Sequence, residues 1–133
     1  MHEDVARELD LLHEHAKHAF ADKNLEAYMS GFSSKLNYKQ PNGKTIGFDQ
    51  LARDIKVQFD RVDEAGSSYE RESLDVDGDR AIQVLIQNAW AVETILFFFK
   101  RRWLIKRKGK CEYERTSAGW KIVKVEVLEE RVA

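Results

Sequence analysis

Cysteine occurs once in this chain of 133 residues, at Cys111, so an intrachain disulfide is excluded and a reducing compartment is the natural expectation. Charge of either sign is not in surplus. The 22 basic and 23 acidic side chains leave a formal net charge of −1, which gives no global attraction to nucleic acid or to a membrane surface. Proline is equally scarce, and Pro41 sits in one turn sequence, Pro41-Asn42-Gly43-Lys44. No long uninterrupted apolar run is present. The longest apolar region, residues 81–99, is broken by Gln83, Gln87, Asn88 and Glu93, which would be costly in a lipid-spanning helix, so it reads as sheet. The opening residues Met1-His2-Glu3-Asp4 lack the basic and then apolar pattern of a secretory signal, and the expected location is cytoplasmic. Neither a repeat nor a low-complexity linker divides the chain, and residues 1–133 are expected to form one domain with no need of a cofactor or metal.

What is present divides into a helical part and a strand part. Val5, Leu9, Leu12, Ala16, Ala19 and Phe20 recur at helical spacing and predict a first helix over about residues 3–20. Asp22 is placed to cap a second helix whose stripe is Leu25, Tyr28, Met29 and Phe32. Short strands flank the Pro41 turn, the first over 35–40. Asp49 is placed to cap a third helix with Leu51, Ile55, Phe59 and Val62 buried, and Ala65-Gly66-Ser67-Ser68 is expected to end it.

From Tyr69 the pattern becomes strand. Asp77-Gly78 predicts a two-residue hairpin turn, since both residues tolerate positive φ. The next turn falls between Phe97 and Arg102, where no glycine or proline marks it. Two long strands then meet at Ser117-Ala118-Gly119. Placing Thr116 opposite Trp120 pairs Tyr113 with Val123, Cys111 with Val125 and Gly109 with Val127 on one face. The other face pairs Glu112 with Lys124, Lys110 with Glu126 and Lys106 with Glu130, so apolar groups meet apolar groups and opposite charges meet. That register sets Arg107 against Glu129 and leaves Leu104, Trp120, Ile122 and Leu128 on the charged side, as an exposed apolar set suited to a subunit interface.

Three amphipathic helices followed by a long antiparallel sheet resemble the nuclear transport factor 2-like superfamily, the fold shared with SnoaL-like cyclases and ketosteroid isomerases. The stretches that carry the likeness are Leu36-Asn37-Tyr38 before the Pro41 turn, Val76-Asp77-Gly78-Asp79-Arg80-Ala81, and Tyr113-Glu114-Arg115-Thr116 leading into Gly119-Trp120-Lys121-Ile122. The resemblance implies an α+β fold, with three N-terminal helices packed on a strongly curved, mostly antiparallel sheet to form a cone-shaped α+β barrel. It also implies an apolar ligand cavity between helices and sheet, and a homodimer joined through the sheet. Ketosteroid-isomerase-like and epoxide-hydrolase-like members place aspartates on the pocket strands, whereas this chain has no Asp after Asp79. Fold likeness alone does not choose among these functions.

The candidate site residues follow from their chemistry. Tyr28, Phe32, Tyr38, Trp90, Trp103 and Tyr113 can line a cavity, because pockets are mostly apolar, and the tyrosines and tryptophans also carry a polar atom that needs a partner when buried. Asn88, Arg107 and Glu129 can supply polar groups, with a rim ion pair as the alternative for the last two. The expected partner is a small apolar or amphipathic molecule, bound without turnover. In the enzymatic alternative, an isomerase, cyclase or dehydratase, Glu93 or Glu126 moves a proton while Tyr38 or Arg107 stabilises negative charge. A third reading is an assembly module joined at Trp120, Ile122 and Leu128. His13, His15 and His18 invite a metal, but the helix sets His13 and His15 on opposite flanks and turns His18 to solvent, so ordinary surface histidines are expected. The run from Lys100 to Lys110 holds seven basic residues beside aromatics, a pattern that can bind single-stranded nucleic acid. Glu126 and Glu130 across the hairpin, with the balanced net charge, argue instead for a paired and solvated strand face. Cys111, with no activating neighbour in the sequence, is expected to be a buried inert thiol.

Overall fold

A computed structural model describes residues 3–95 and 99–133. Helix α1 (Glu3–Ala21) has Glu3 and Asp4 in its first turn, where their charge opposes the partial charge of the helix end. Its stripe buries Val5, Leu9 and Ala19 and half-buries Leu12 and Phe20. Helix α2 (Leu25–Met29) is shorter than its apolar spacing suggests. Asp22 does not cap it, because the Asp22 amide still donates to His18 O at 2.9 Å in ending α1, and Lys23 turns the chain at φ 54°. Asn24 is the cap, its Oδ1 accepting from the Ala27 amide at 3.1 Å. Phe32, expected on α2, begins the first strand. Helix α3 (Phe48–Arg61) starts after Gly47 with no side-chain cap, so Asp49 lies in its first turn and acts only through the helix dipole. Leu51, Ile55 and Phe59 are buried as their spacing requires.

The strands β1 (Phe32–Lys39), β2 (Thr45–Ile46), β3 (Glu64–Asp77), β4 (Arg80–Ile95), β5 (Phe99–Thr116) and β6 (Gly119–Val132) form one sheet in the order β2-β1-β6-β5-β4-β3. The β1–β6 pair is parallel and the others are antiparallel. The sheet is curved but not closed, with β2 and β3 at its edges and the helices on its concave side. This is the expected α+β cone, without a closed barrel.

The first strand runs from Phe32 to Lys39 where the sequence placed it over 35–40, and other strand boundaries differ as well. Ala65-Gly66-Ser67-Ser68 does not end a helix but belongs to β3, paired with Ala91, Trp90, Ala89 and Asn88. Gly66 permits this: a Cβ there would lie 2.7 Å from the Trp90 indole, which covers the strand at that point. The hairpin after β3 is displaced by one residue. Asp77 pairs with Arg80, so Gly78-Asp79 occupy the turn, and only Gly78 needs positive φ, at 60°. The turn expected between Phe97 and Arg102 falls in part outside the described residues, and the described part, residues 99–102, belongs to β5.

The final hairpin keeps the expected register only in its middle, where Cys111 faces Val125, Gly109 faces Val127, Glu112 faces Lys124 and Lys110 faces Glu126. A bulge on each side shifts the rest, and bulges bend and twist a strand, as a cone requires. Toward the turn, Tyr113 faces Ile122 and Thr116 faces Gly119. The shift carries Trp120 and Ile122 to the core side, each 5% exposed, so neither belongs to an exposed interface set. Trp120 Nε1 instead donates to Glu8 Oε2 on α1 at 2.6 Å. Toward the other end, Lys106 faces Arg131, and Arg107 faces Glu130 in place of Glu129.

Candidate functional site

The helices and the concave sheet face enclose a cavity of about 220 Å³. Its wall is assembled from His13, Ala16 and Phe20 on α1, Tyr28 on α2, Leu51, Asp54, Ile55 and Gln58 on α3, Tyr38 on β1 with Gln40 and Pro41 after it, and Tyr69 on β3. The floor is Leu85, Gln87 and Ala89 on β4, Ile105, Arg107, Gly109 and Cys111 on β5, and Val125 on β6. The alternation along β4 and β5 follows the two-residue period of strands. A second chamber of about 200 Å³ adjoins it, bounded by Phe59, Ala65, Ala91, Glu93 and Trp103 and sharing Phe20, Gln58, Ala89 and Ile105 with the first. The inner space is therefore elongated, and mostly apolar at the Trp103 end.

Arg107 is the cation of the cavity. Its Nε donates to Glu130 Oε2 at 2.7 Å, Nη2 pairs with the same oxygen, and Nη1 donates to Tyr38 Oη at 3.2 Å. Burial opposes the guanidinium charge, but Tyr38 and Glu130 outweigh it and hold the group above its ordinary value, so it is charged at every accessible pH. Burial raises the Tyr38 hydroxyl against the pull of Arg107, and raises the Tyr28 and Tyr69 hydroxyls as well; all three remain protonated donors at neutral pH.

Opposite the strand floor, α1 contributes His13. Its Nε2 lies 2.6 Å from Tyr113 Oη, and its ring is tilted against Tyr69 with centroids 5.0 Å apart. Tyr113 is fully buried and also accepts from Gln83 Nε2 at 2.6 Å. Gln83 Oε1 accepts from Arg71 Nε at 2.8 Å, and Arg71 Nη2 donates to Asp10 Oδ1 at 2.5 Å. Desolvation lowers His13 to about 4, with Asp10 opposing and Arg71 reinforcing, so the imidazole is neutral at pH 7. His13 is thus not an ordinary surface histidine, whereas His15 and His18 are exposed. The spacing carried the signal: His13 stands four residues after Leu9 and three before Ala16, within the apolar stripe. Gln83, Arg71 and Tyr69 carried no such pattern, because their meeting depends on strand register.

The expected site residues separate by face. Tyr28, Tyr38 and Arg107 line the cavity. Trp103 and Glu93 meet in the second chamber, where Trp103 Nε1 donates to Glu93 Oε1 at 3.3 Å and Arg101 lies 3.9 Å over the Trp103 ring. Tyr113 is buried behind His13, and Phe32 packs on Tyr28 at 5.7 Å without reaching the cavity wall. Asn88 is exposed on the outer face, since the two-residue period gives the inward place to its neighbour Gln87. Trp90 stands on that outer face beside Leu104 and against Gly66, and also borders the second chamber. Glu126 stands away from the cavity in an ion pair with Lys39 at 3.4 Å, and Glu129 is exposed because the bulge gives Glu130 the place beside Arg107. Cys111 lies buried on the cavity floor, its thiol pushed up to about 11 by desolvation.

The chain has the nuclear transport factor 2-like fold. A protein from Kribbella flavida matches it with a TM-score of 0.83 at 16% identity, covering 98% of this chain and 95% of its own. A nuclear transport factor 2-like superfamily protein from Salmonella enterica serovar Typhimurium matches with a TM-score of 0.77 at 13% identity, covering 96% and 92%. A type 2 hexachlorocyclohexane dehydrochlorinase matches with a TM-score of 0.76 at 14% identity, covering 98% and 89%. No protein-family model matches the sequence, and no curated protein does.

Proposed function

We propose that the chain binds a small apolar or amphipathic molecule in the cavity, with the polar end of that molecule at Arg107 and Tyr38. The observation that carries this reading is a charged guanidinium on the floor of an otherwise largely apolar, elongated space. Such a wall fits an apolar body, and one fixed cation with a tyrosine hydroxyl orients a polar end. Native mass spectrometry of gently purified protein, followed by denaturing extraction, tests it. A stoichiometric apolar or amphipathic compound is expected. Protein that carries none, and that takes up neither octanoate nor 2-octanone in calorimetry, overturns it.

A second reading is proton-transfer catalysis of the isomerase, cyclase or dehydratase kind. Two carboxylates line the inner space, Asp54 in the first cavity and Glu93 in the second chamber, and Glu93, oriented by Trp103, favours it. The dehydrochlorinase among the fold neighbours is named for an elimination, which is chemistry of a related kind, although fold alone does not transfer it. Glu126 does not support this reading, since it faces away from the cavity. Turnover of a bound compound that Glu93→Gln abolishes, with binding intact, distinguishes catalysis from binding alone.

The reading places the protein in the cytoplasm as a homodimer joined through the outer sheet face, where Trp90 and Leu104 stand side by side. Among the described residues no helix is long and apolar enough to cross a membrane.

A further inference from the structure

The hydrogen bonds behind His13 have a direction. Arg71 can only donate, so the Gln83 side chain must present its oxygen to Arg71 Nε, 2.8 Å away, and its NH₂ to Tyr113, 2.6 Å away. Tyr113 Oη, accepting from Gln83, keeps one hydrogen; of the two groups beside it, the Cys111 thiol is a weak acceptor that can itself donate, whereas His13 Nε2, 2.6 Å away, is a strong acceptor. We infer that Tyr113 donates to His13 Nε2, and that His13 therefore holds its proton on Nδ1 and offers the cavity an N–H donor in place of a basic lone pair. His13 is then a positioning and specificity residue for the cavity proposed above, and on that reading it selects a ligand with an acceptor such as a carbonyl oxygen beside α1.

Two features support the assignment. The imidazole is neutral, because burial holds it near 4, so only one of its nitrogens carries a proton. Among the described residues the ring's one hydrogen bond is at Nε2, which leaves Nδ1 for the cavity that the ring lines. The chain also has an external anchor. Asp10, two-thirds exposed, holds the Arg71 guanidinium at 2.5 Å, and a second bond from Arg71 Nη2 to Ala6 O at 3.3 Å fixes its approach to α1. Each link sets the polarity of the next, as in a metal-bound or catalytic histidine whose tautomer is fixed by the bond at its other nitrogen.

Long-range proton–nitrogen NMR of the histidine rings in the full chain reads the tautomer directly. At pH 7 the expected spectrum shows His13 neutral, with Nδ1 protonated and Nε2 bare. A His13 protonated on Nε2 overturns the inference. Gln83→Glu supplies a second test, because a carboxylate can only accept: Tyr113 then donates to it, and His13 must turn its proton to Nε2. An unchanged tautomer in that variant, with the fold retained, counts against the relay. Should Gln83→Glu fail to fold, Tyr113→Phe removes the donor and should leave the tautomer mixed; a tautomer fixed as in the parent overturns the relay. For the ligand, 2-octanone should bind the parent about three- to tenfold more tightly than n-octane, and Gln83→Glu should remove that preference. Equal affinities in the parent overturn the ligand assignment. Failure of octanoate and 2-octanone alike overturns the cavity reading instead, and the NMR result then still decides the tautomer.

Discussion

Arg107 faces Glu130, and not Glu129, because β6 carries one more residue than β5 between the Lys108–Glu129 and Gly109–Val127 pairs. The extra residue, Leu128, bulges the strand and brings the Glu130 carboxylate to 2.7 Å from Arg107 Nε. The bulge that curves the sheet thus also chooses which carboxylate holds the cavity's cation.

Replacing Glu130 by Gln removes the charge that balances Arg107. Arg107 and Glu130 are 31% and 21% exposed at their side chains, so the expected loss is about 2 kcal/mol of folding stability, below that of a fully buried pair. The adjacent Glu129→Gln should change stability by less than about 0.5 kcal/mol. Urea denaturation of the two variants measures this, and equal effects would show that the pairing does not hold.

Replacing Arg107 by Met keeps most of the side-chain volume and removes the cation. Octanoate affinity should fall about tenfold or more, while that of 2-octanone changes little, since a charged hydrogen bond at a desolvated site contributes roughly 1.5–3 kcal/mol. Calorimetry with both probes checks the selectivity. A parallel loss for both would indicate a packing role for Arg107.

Acid should weaken the fold through His13. Its folded value of about 4 lies below the ordinary 6.5, so between these pH values the unfolded chain takes up a proton that the folded chain refuses. The His13 share of stability is therefore complete above about 6.5, declines as pH falls, and is lost by about 4, a total of about 3 kcal/mol. Asp10 and Arg71 set the local field, and Tyr69 and Tyr113 stay neutral in this range. Urea midpoints at pH 7 and pH 4.5 should differ more in the parent than in His13→Asn. Identical differences would place the acid sensitivity elsewhere.

Leu104, 49% exposed beside Trp90 on the outer face, tests assembly. Leu104→Glu should shift a sheet-joined dimer to monomer in sedimentation at micromolar concentration, because a charge in an apolar contact has no partner there. A parent that sediments as a monomer would remove the dimer from the proposal.

Much of the fold was legible in the residues. The stripes Val5–Leu9 and Leu51–Ile55–Phe59, the turn glycines, and the apolar and charged pairs in the middle of the last hairpin each follow from a local period, and a period needs no knowledge of distant parts. Tyr28, Tyr38 and Arg107 were legible as cavity groups from their chemistry, an aromatic body with a polar tip and a cation on the apolar side of its strand. The tertiary structure decided the rest. Bulges are single-residue events that the pattern does not mark, and they moved Trp120 and Ile122 into the core and exchanged Glu129 for Glu130. Facing parity on β4, set by pairing with β3 and β5, gave the cavity Gln87 in place of Asn88. The chain Asp10–Arg71–Gln83–Tyr113–His13 joins α1, β3, β4 and β5, and its members become neighbours only when the sheet curls beneath the helix. Local periodicity determined which elements form, whereas the one-residue offsets between strands decided which side chains share the cavity.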